Sequence, residues 1–258
     1  MEIRRGDTKT FILCFGKWVI KIPYTFGTWQ ELQREKLAIE KVKSDPYFSS
    51  FLLDYKYFFG YPITNRLPVF KNEGGNKLLI KKYFQSAFRE ADSWPVKSFK
   101  DLLDTEIFFD FISKNKPASY NFWQDFLKAN LLPQSSSHGD FNENNILVDG
   151  GRLYFIDWSR YRHSSSRYFD LIDFYIYSQQ GNGQSWIDAW KKEANFSLKA
   201  IEGIEIKPEL FMAYAVWKVS QEIRALSVMR AFNQHKRKKY FNFISYLEEL
   251  LRPKTKRI

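Results

Sequence analysis

Ser137-His138-Gly139-Asp140-Phe141-Asn142-Glu143-Asn144-Asn145-Ile146-Leu147-Val148, followed after a short turn by Leu153-Tyr154-Phe155-Ile156-Asp157-Trp158, is the stretch on which the fold of this chain turns. Its polar skeleton is His-x-Asp, four residues, Asn, an apolar strand, a glycine turn, a second apolar strand and Asp. Asn145 and Asp157 offer a neutral and an anionic oxygen, the hard donors that Mg²⁺ accepts when phosphate oxygens and water fill its other positions. Gly150-Gly151 lets the chain reverse, so the two strands can pair as a hairpin that brings Asn145 and Asp157 to one end. Asp140 falls in the loop feeding the first strand, where its carboxylate can face a hydroxyl beside the metal. A polar loop before an ordinary hairpin would explain any one of these residues, but not the set at these spacings.

Working outward, 258 residues suffice for one large domain or two small lobes sharing a cleft. A hydrophobic content of 44% with eight Trp supports a real core, and no run approaches the 18 uncharged apolar residues of a membrane-spanning helix. Met1-Glu2-Ile3-Arg4-Arg5-Gly6-Asp7 lacks an apolar signal region, so a cytoplasmic protein is expected. The single cysteine, Cys14, excludes an internal disulfide and a cysteine-based zinc site, and its apolar neighbours make it a buried strand residue. A net charge of +11 fits an anionic substrate, a nucleic acid or a membrane surface. The joint abundance of Lys, Asn, Phe, Tyr and Ile can equally come from AT-rich coding, so both readings stay open.

The paired loops resemble the catalytic and metal-binding loops of the protein-kinase-like fold, most closely those of the aminoglycoside phosphotransferase and choline kinase branch. There the first loop reads H-G-D or H-N-D and the second I-D-W or I-D-F. The resemblance implies an α+β, bilobal fold: a small antiparallel-sheet lobe with one helix over residues 1–84, and a larger, mainly helical catalytic lobe over 85–258. It implies ATP and Mg²⁺ as cofactors. Asp140 would accept the hydroxyl proton, His138 would brace the loop, and Asn145 and Asp157 would hold Mg²⁺. Lys21, the one charge inside Trp18–Ile22, would hold the nucleotide phosphates. Glu35 would pair with it from a helix over 28–42 capped by Thr28, with Glu31 as the rival. Leu32, Leu37 and Ile39 would be that helix's inward residues. Lys77–Phe84 would be the last strand of the small lobe, making Tyr83 and Phe84 hinge residues for the adenine. Arg4–Lys9 would stand in for the missing glycine-rich phosphate loop, and Asp170 would support the catalytic loop from the next helix. Further helices are expected over 98–115, 119–131, 184–194, 208–234 and 238–252. Motifs carry the resemblance from about residue 8 to 175, and helical character alone carries the rest.

Within that fold a protein kinase is disfavoured. Gly139 stands where such enzymes carry arginine, Trp158-Ser159 replaces Phe-Gly, and only twelve residues separate Asp157 from Asp170. A small hydroxyl-bearing acceptor is expected instead. The basic charge favours an anionic or lipid-linked saccharide, such as an envelope or lipopolysaccharide sugar met at the inner membrane surface. An aminoglycoside or choline acceptor is the alternative, followed by a protein kinase and a non-catalytic binding module. The basic run His235–Lys239 comes with no recognised nucleic-acid motif, so no nucleic-acid partner is expected.

Overall fold

The structure, a computed structural model, describes residues 2–6, 10–102, 105–180, 184–195, 200–228 and 232–251. In chain order its main elements are β1 (Glu2–Gly6), β2 (Thr10–Phe15), β3 (Trp18–Pro23), α1 (Phe26–Lys43), β4 (Lys56–Phe58), β5 (Tyr61–Asn65) and α2 (Gly74–Ala87). Then come β6 (Val96–Ser98), α3 (Phe99–Leu102), α4 (Glu106–Asn115), α5 (Tyr120–Ala129), β7 (Leu131–Pro133), β8 (Ser135–Ser137), β9 (Ile146–Asp149) and β10 (Arg152–Phe155). Next are β11 (Arg162–Ser165), α6 (Arg167–Ser178), α7 (Trp186–Asn195), α8 (Pro208–Val228) and α9 (Gln234–Leu251). This is an α+β protein with an antiparallel sheet at its N-terminal end and helices toward its C-terminal end. By contact density it falls into two compact units, 1–95 with 134–179 and 201–204, and 96–133 with 180–200 and 205–258. We propose that the functional lobes, 1–84 and 85–258, divide the chain differently from these compact units.

The first unit holds the five-stranded sheet, ordered β1-β2-β3-β5-β4 and antiparallel throughout. β2 and β3 form where two mainly apolar runs flank Gly16-Lys17, with Ile12 opposite Lys21. β1 departs from the expected phosphate loop: Arg4, Arg5 and Gly6 are strand residues opposite Ile12, Phe11 and Thr10. Asp7, Thr8 and Lys9 of that stretch lie outside the described residues. α1 begins earlier than expected, and its cap is Thr25 rather than Thr28. The Thr25 side chain accepts from the Thr28 N–H, and the Thr28 hydroxyl accepts from the Thr25 N–H, a capping box with Thr in the usual Glu position. Leu32, Glu35, Ile39 and Val42 line its buried side, and Leu37 lies on the opposite, exposed side.

Lys77–Phe84 is not a strand. It belongs to α2, which buries Ile80, Tyr83, Phe84 and Ala87 at the 3-1-3 spacing of one helical face. The sheet is completed instead by the β4–β5 hairpin. β9 and β10 form the expected hairpin, with Asp149 opposite Arg152 and Ile146 opposite Phe155. Phe48, Phe84, Phe141, Phe155, Trp158 and Phe174 pack into one aromatic core beneath it.

In the second unit β6 pairs with β7, and the single helix expected over 98–115 is two, α3 and α4. Leu103, within that expected helix, lies outside the described residues. The fully buried Trp123 of α5 donates to Glu248 of α9 at 2.8 Å, and Trp190 of α7 stacks on Phe211 of α8 at 4.8 Å. α8 is described to Val228, residues 229–231 lie outside the described residues, and 234, the expected end, already belongs to α9. His235–Lys239 open α9, and the basic residues Lys254–Arg257 lie outside the described residues. Among the described residues no helix is long and apolar enough to cross a membrane.

Candidate active site

The Ser137–Asn145 loop is fixed from three sides. His138 is fully buried; its Nε2 lies 2.9 Å from the Ile156 carbonyl and must donate to it. That tautomer leaves Nδ1 as an acceptor, facing the Asp140 N–H at 3.4 Å. Burial pushes the imidazole pKa down, so the ring stays neutral and acts as a strut. Asp170, in the first turn of α6, accepts from the His138 N–H at 2.7 Å and the Gly139 N–H at 2.9 Å. Burial raises the Asp170 carboxyl to about 7, against the pull of these two donors. Gly139 has φ +85°, and a Cβ there would lie 2.2 Å from the Arg160 carbonyl oxygen. Only glycine fits such a junction.

This bracing presents Asp140, whose side chain is about a quarter exposed. Its Oδ1 lies 3.4 Å from Arg160 Nη1. Asn145 Nδ2 donates to the Asp140 carbonyl at 2.8 Å and lies 3.4 Å from Asp140 Oδ2. With its nitrogen spent there, the Asn145 side chain offers its oxygen as the donor to a cation. The Ile156 N–H donates to the Asn145 carbonyl at 3.0 Å, tying the two loops together, and the next residue is Asp157. Asp157 has φ +64°, left-handed backbone uncommon for a residue with a Cβ.

Lys21 on β3 and Glu35 on α1 meet in a two-oxygen ion pair, 3.0 and 3.1 Å. Lys21 Nζ also lies 3.9 Å from Asp157 Oδ1. Burial works against the lysine's charge, but Asp157 and Glu35 outweigh it and its pKa is raised, so it is an ammonium at any physiological pH. Glu31 instead bonds Arg34 at the surface. Lys21, Glu35 and Asp157 are thus brought together, as are His138, Asp140 and Asn145, all in the first unit. The donor set fits Mg²⁺: one carboxylate and one amide oxygen, both hard, with room for phosphate oxygens and water.

Tyr83 and Phe84 are not in a segment following the last strand. They sit in α2 with their rings in the aromatic core, against Phe141 at 5.4 and 5.7 Å. The chain that does leave the sheet after β5 is Arg66–Phe70. Val148 donates to the Pro68 carbonyl at 3.0 Å, and Phe70 donates to the Ile146 carbonyl at 2.9 Å. Sequence reasoning passed over this segment, where Pro68 signals a loop but no motif marks the exit from the sheet. It also missed the buried Arg167, whose guanidinium lies 3.6 Å from the Tyr47 ring centroid and bonds the Ala87 carbonyl and the Ser136 hydroxyl. A polar cavity of about 460 Å³ lies beside the loop, lined by Lys71, Asn72, Glu73, Glu143, Ser178 and Gln179.

Residues 82–203 match the model of the phosphotransferase enzyme family, APH. The chain is similar in structure to the choline kinase LicA from Streptococcus pneumoniae: 14% identity, TM-score 0.53, 96% of this chain and 94% of that one covered. The same kinase in complex with AMP gives 14% identity and a TM-score of 0.51, with 96% and 92% covered. A choline/ethanolamine kinase family protein from Mesorhizobium loti gives 15% identity and a TM-score of 0.50, with 98% and 89% covered. Comparison with curated proteins gives no match.

Proposed function

Taking the chain as a phosphotransferase with the protein-kinase-like fold of the choline and aminoglycoside kinases, we propose that it moves the γ-phosphoryl group of ATP, with Mg²⁺, to a hydroxyl of a small molecule, an anionic saccharide or a lipid-linked sugar. Phosphoryl transfer asks a protein for alignment and charge neutralisation more than for covalent chemistry. In this reading Asp140 orients the acceptor hydroxyl and takes its proton late, when position matters more than basicity. Lys21, steadied by Glu35, holds the phosphates. Asn145 and Asp157 are the residues that would hold Mg²⁺, which when bound neutralises the phosphate charge. Adenine would lie along Arg66–Phe70, where the chain leaves the sheet.

The observation that carries the acceptor class is Arg160. A guanidinium, rather than a cluster of carboxylates, adjoins the group that would receive the proton. The +11 net charge fits the same class, whereas the polar 460 Å³ cavity carries two carboxylates. A second reading, an amine-bearing acceptor of the aminoglycoside or choline kind, has one observation in its favour: Glu73 and Glu143 both line that cavity. The test is transfer of labelled phosphate from ATP to a panel of neutral, anionic and lipid-linked saccharides, choline and aminoglycosides. Labelling of saccharides is expected, and labelling of the amines alone would overturn the acceptor assignment. We further propose that the protein works at the membrane surface, where a lipid-linked acceptor resides.

A further inference from the structure

The β4–β5 hairpin turns through Phe59-Gly60, with Phe58 opposite Tyr61. Both turn residues have positive φ, +48° for Phe59 and +81° for Gly60, the backbone of a two-residue turn that favours Asn-Gly or Gly-Gly. The β9–β10 hairpin meets the same demand with Gly150-Gly151. A bulky residue at positive φ is strained, and here the strain gains little burial: the Phe58 and Phe59 rings meet edge-on at 4.5 Å, yet Phe59 is 84% exposed and Phe58 58%. Core packing therefore gives no reason for these rings.

The tip has neighbours of the same kind. Trp29 of α1 packs edge-on against Tyr61 at 6.1 Å and passes beside Gly60, and Phe26, one turn earlier on that helix, is 75% exposed. Lysines stand behind the tip along the hairpin: Lys36 lies over the Tyr57 ring, and Lys56, two residues before Phe58, lies over the Trp18 ring. Exposed aromatic rings backed by lysines are the composition of a membrane-interface anchor. The rings enter the headgroup boundary and the ammonium groups meet anionic lipid. A two-residue turn is a projection, not a groove, and offers far less than the roughly 800 Å² per partner of a stable protein interface.

We propose that the Phe58-Phe59 tip, with Phe26 and Trp29, inserts into the interface of an anionic lipid bilayer. The proposal deepens the reading of a lipid-linked acceptor and names the surface that contacts the membrane. Its test needs neither ATP nor acceptor, so failure of one leaves the other standing. The full chain is sedimented with vesicles of phosphatidylglycerol and phosphatidylethanolamine, and with vesicles of phosphatidylcholine alone. The wild type should bind the anionic vesicles, and Phe58→Thr/Phe59→Asn should bind them at least tenfold more weakly. Asparagine suits the turn, so thermal unfolding of the variant should occur at the wild-type temperature or above, separating lost binding from lost fold. Three results would overturn the proposal: no wild-type binding, equal binding by the variant, or a self-association in sizing experiments that the variant alone loses.

Discussion

At the scale of single residues, the site depends on a loop that cannot relax. Gly139 is its tightest point. Gly139→Ala must move the Arg160 backbone or abandon φ +85°, so unfolding should become easier by about 2–4 kcal/mol, readable as a urea midpoint shift. Asp140 has the opposite profile, partly exposed and not needed for packing. Asp140→Ala should lose roughly 10²–10⁴-fold in kcat with ATP binding and stability nearly unchanged. A parallel loss of nucleotide affinity would argue against its role. Asp170 gives a pH signature. Its folded pKa, about 7, is above its ordinary value near 3.8, so the native state takes up this proton first and gains stability as pH falls from 7 toward 4. His138 works in reverse, since its depressed folded pKa makes acidification below 6.5 favour the unfolded chain. Asp170→Asn removes only the first effect. Relative to wild type it should lose stability on acidification, by up to about 1.4 kcal/mol per pH unit, and parallel urea midpoints from pH 7.5 to 5 would contradict the assignment. Asp140 and Asn145 were legible in the sequence from their spacing before an apolar strand, but the demand for glycine at 139 was not, because it comes from the distant Arg160 backbone.

At the scale of elements, legibility tracked how much of each signal was local. The β9–β10 hairpin could be read because Gly150-Gly151 and two apolar runs specify it without help from elsewhere. α2 could not be read as easily: Lys77–Phe84 looks strand-like over eight residues, and only the longer window to Ala87 exposes the spacing of Ile80, Tyr83, Phe84 and Ala87. That misreading carried Tyr83 and Phe84 to the hinge and hid Arg66–Phe70. The start of α1 was misjudged for a related reason. Thr25 and Thr28 are both cap residues, and the reciprocal bonds between them choose the earlier one as the cap. Removing one side of that box, in Thr25→Ala, should destabilise the fold by about 1 kcal/mol, measured by chemical denaturation. It should also raise the KM for ATP, because α1 carries Glu35 to Lys21. A stability loss with unchanged KM would mean that the helix holds Glu35 without its cap.

At the scale of the whole molecule, the Lys21–Glu35 pair joins residues 14 apart, and Asp157 reaches Lys21 from still farther along the chain. Such convergence is invisible to spacing rules, and the resemblance to a known fold supplied it where local chemistry could not. Net charge, by contrast, is a whole-chain property read at once from composition, and it bears on partners rather than on fold. The central claim is that Lys21, Asn145 and Asp157 form one magnesium–nucleotide site. Calorimetric titration of a non-hydrolysable ATP analogue, with and without Mg²⁺, tests it most directly on wild type and Asp157→Ala. Wild-type binding should tighten with Mg²⁺, and the variant should lose that gain, its affinity falling roughly tenfold to a hundredfold. Equal magnesium-dependent binding by the two proteins would contradict the site.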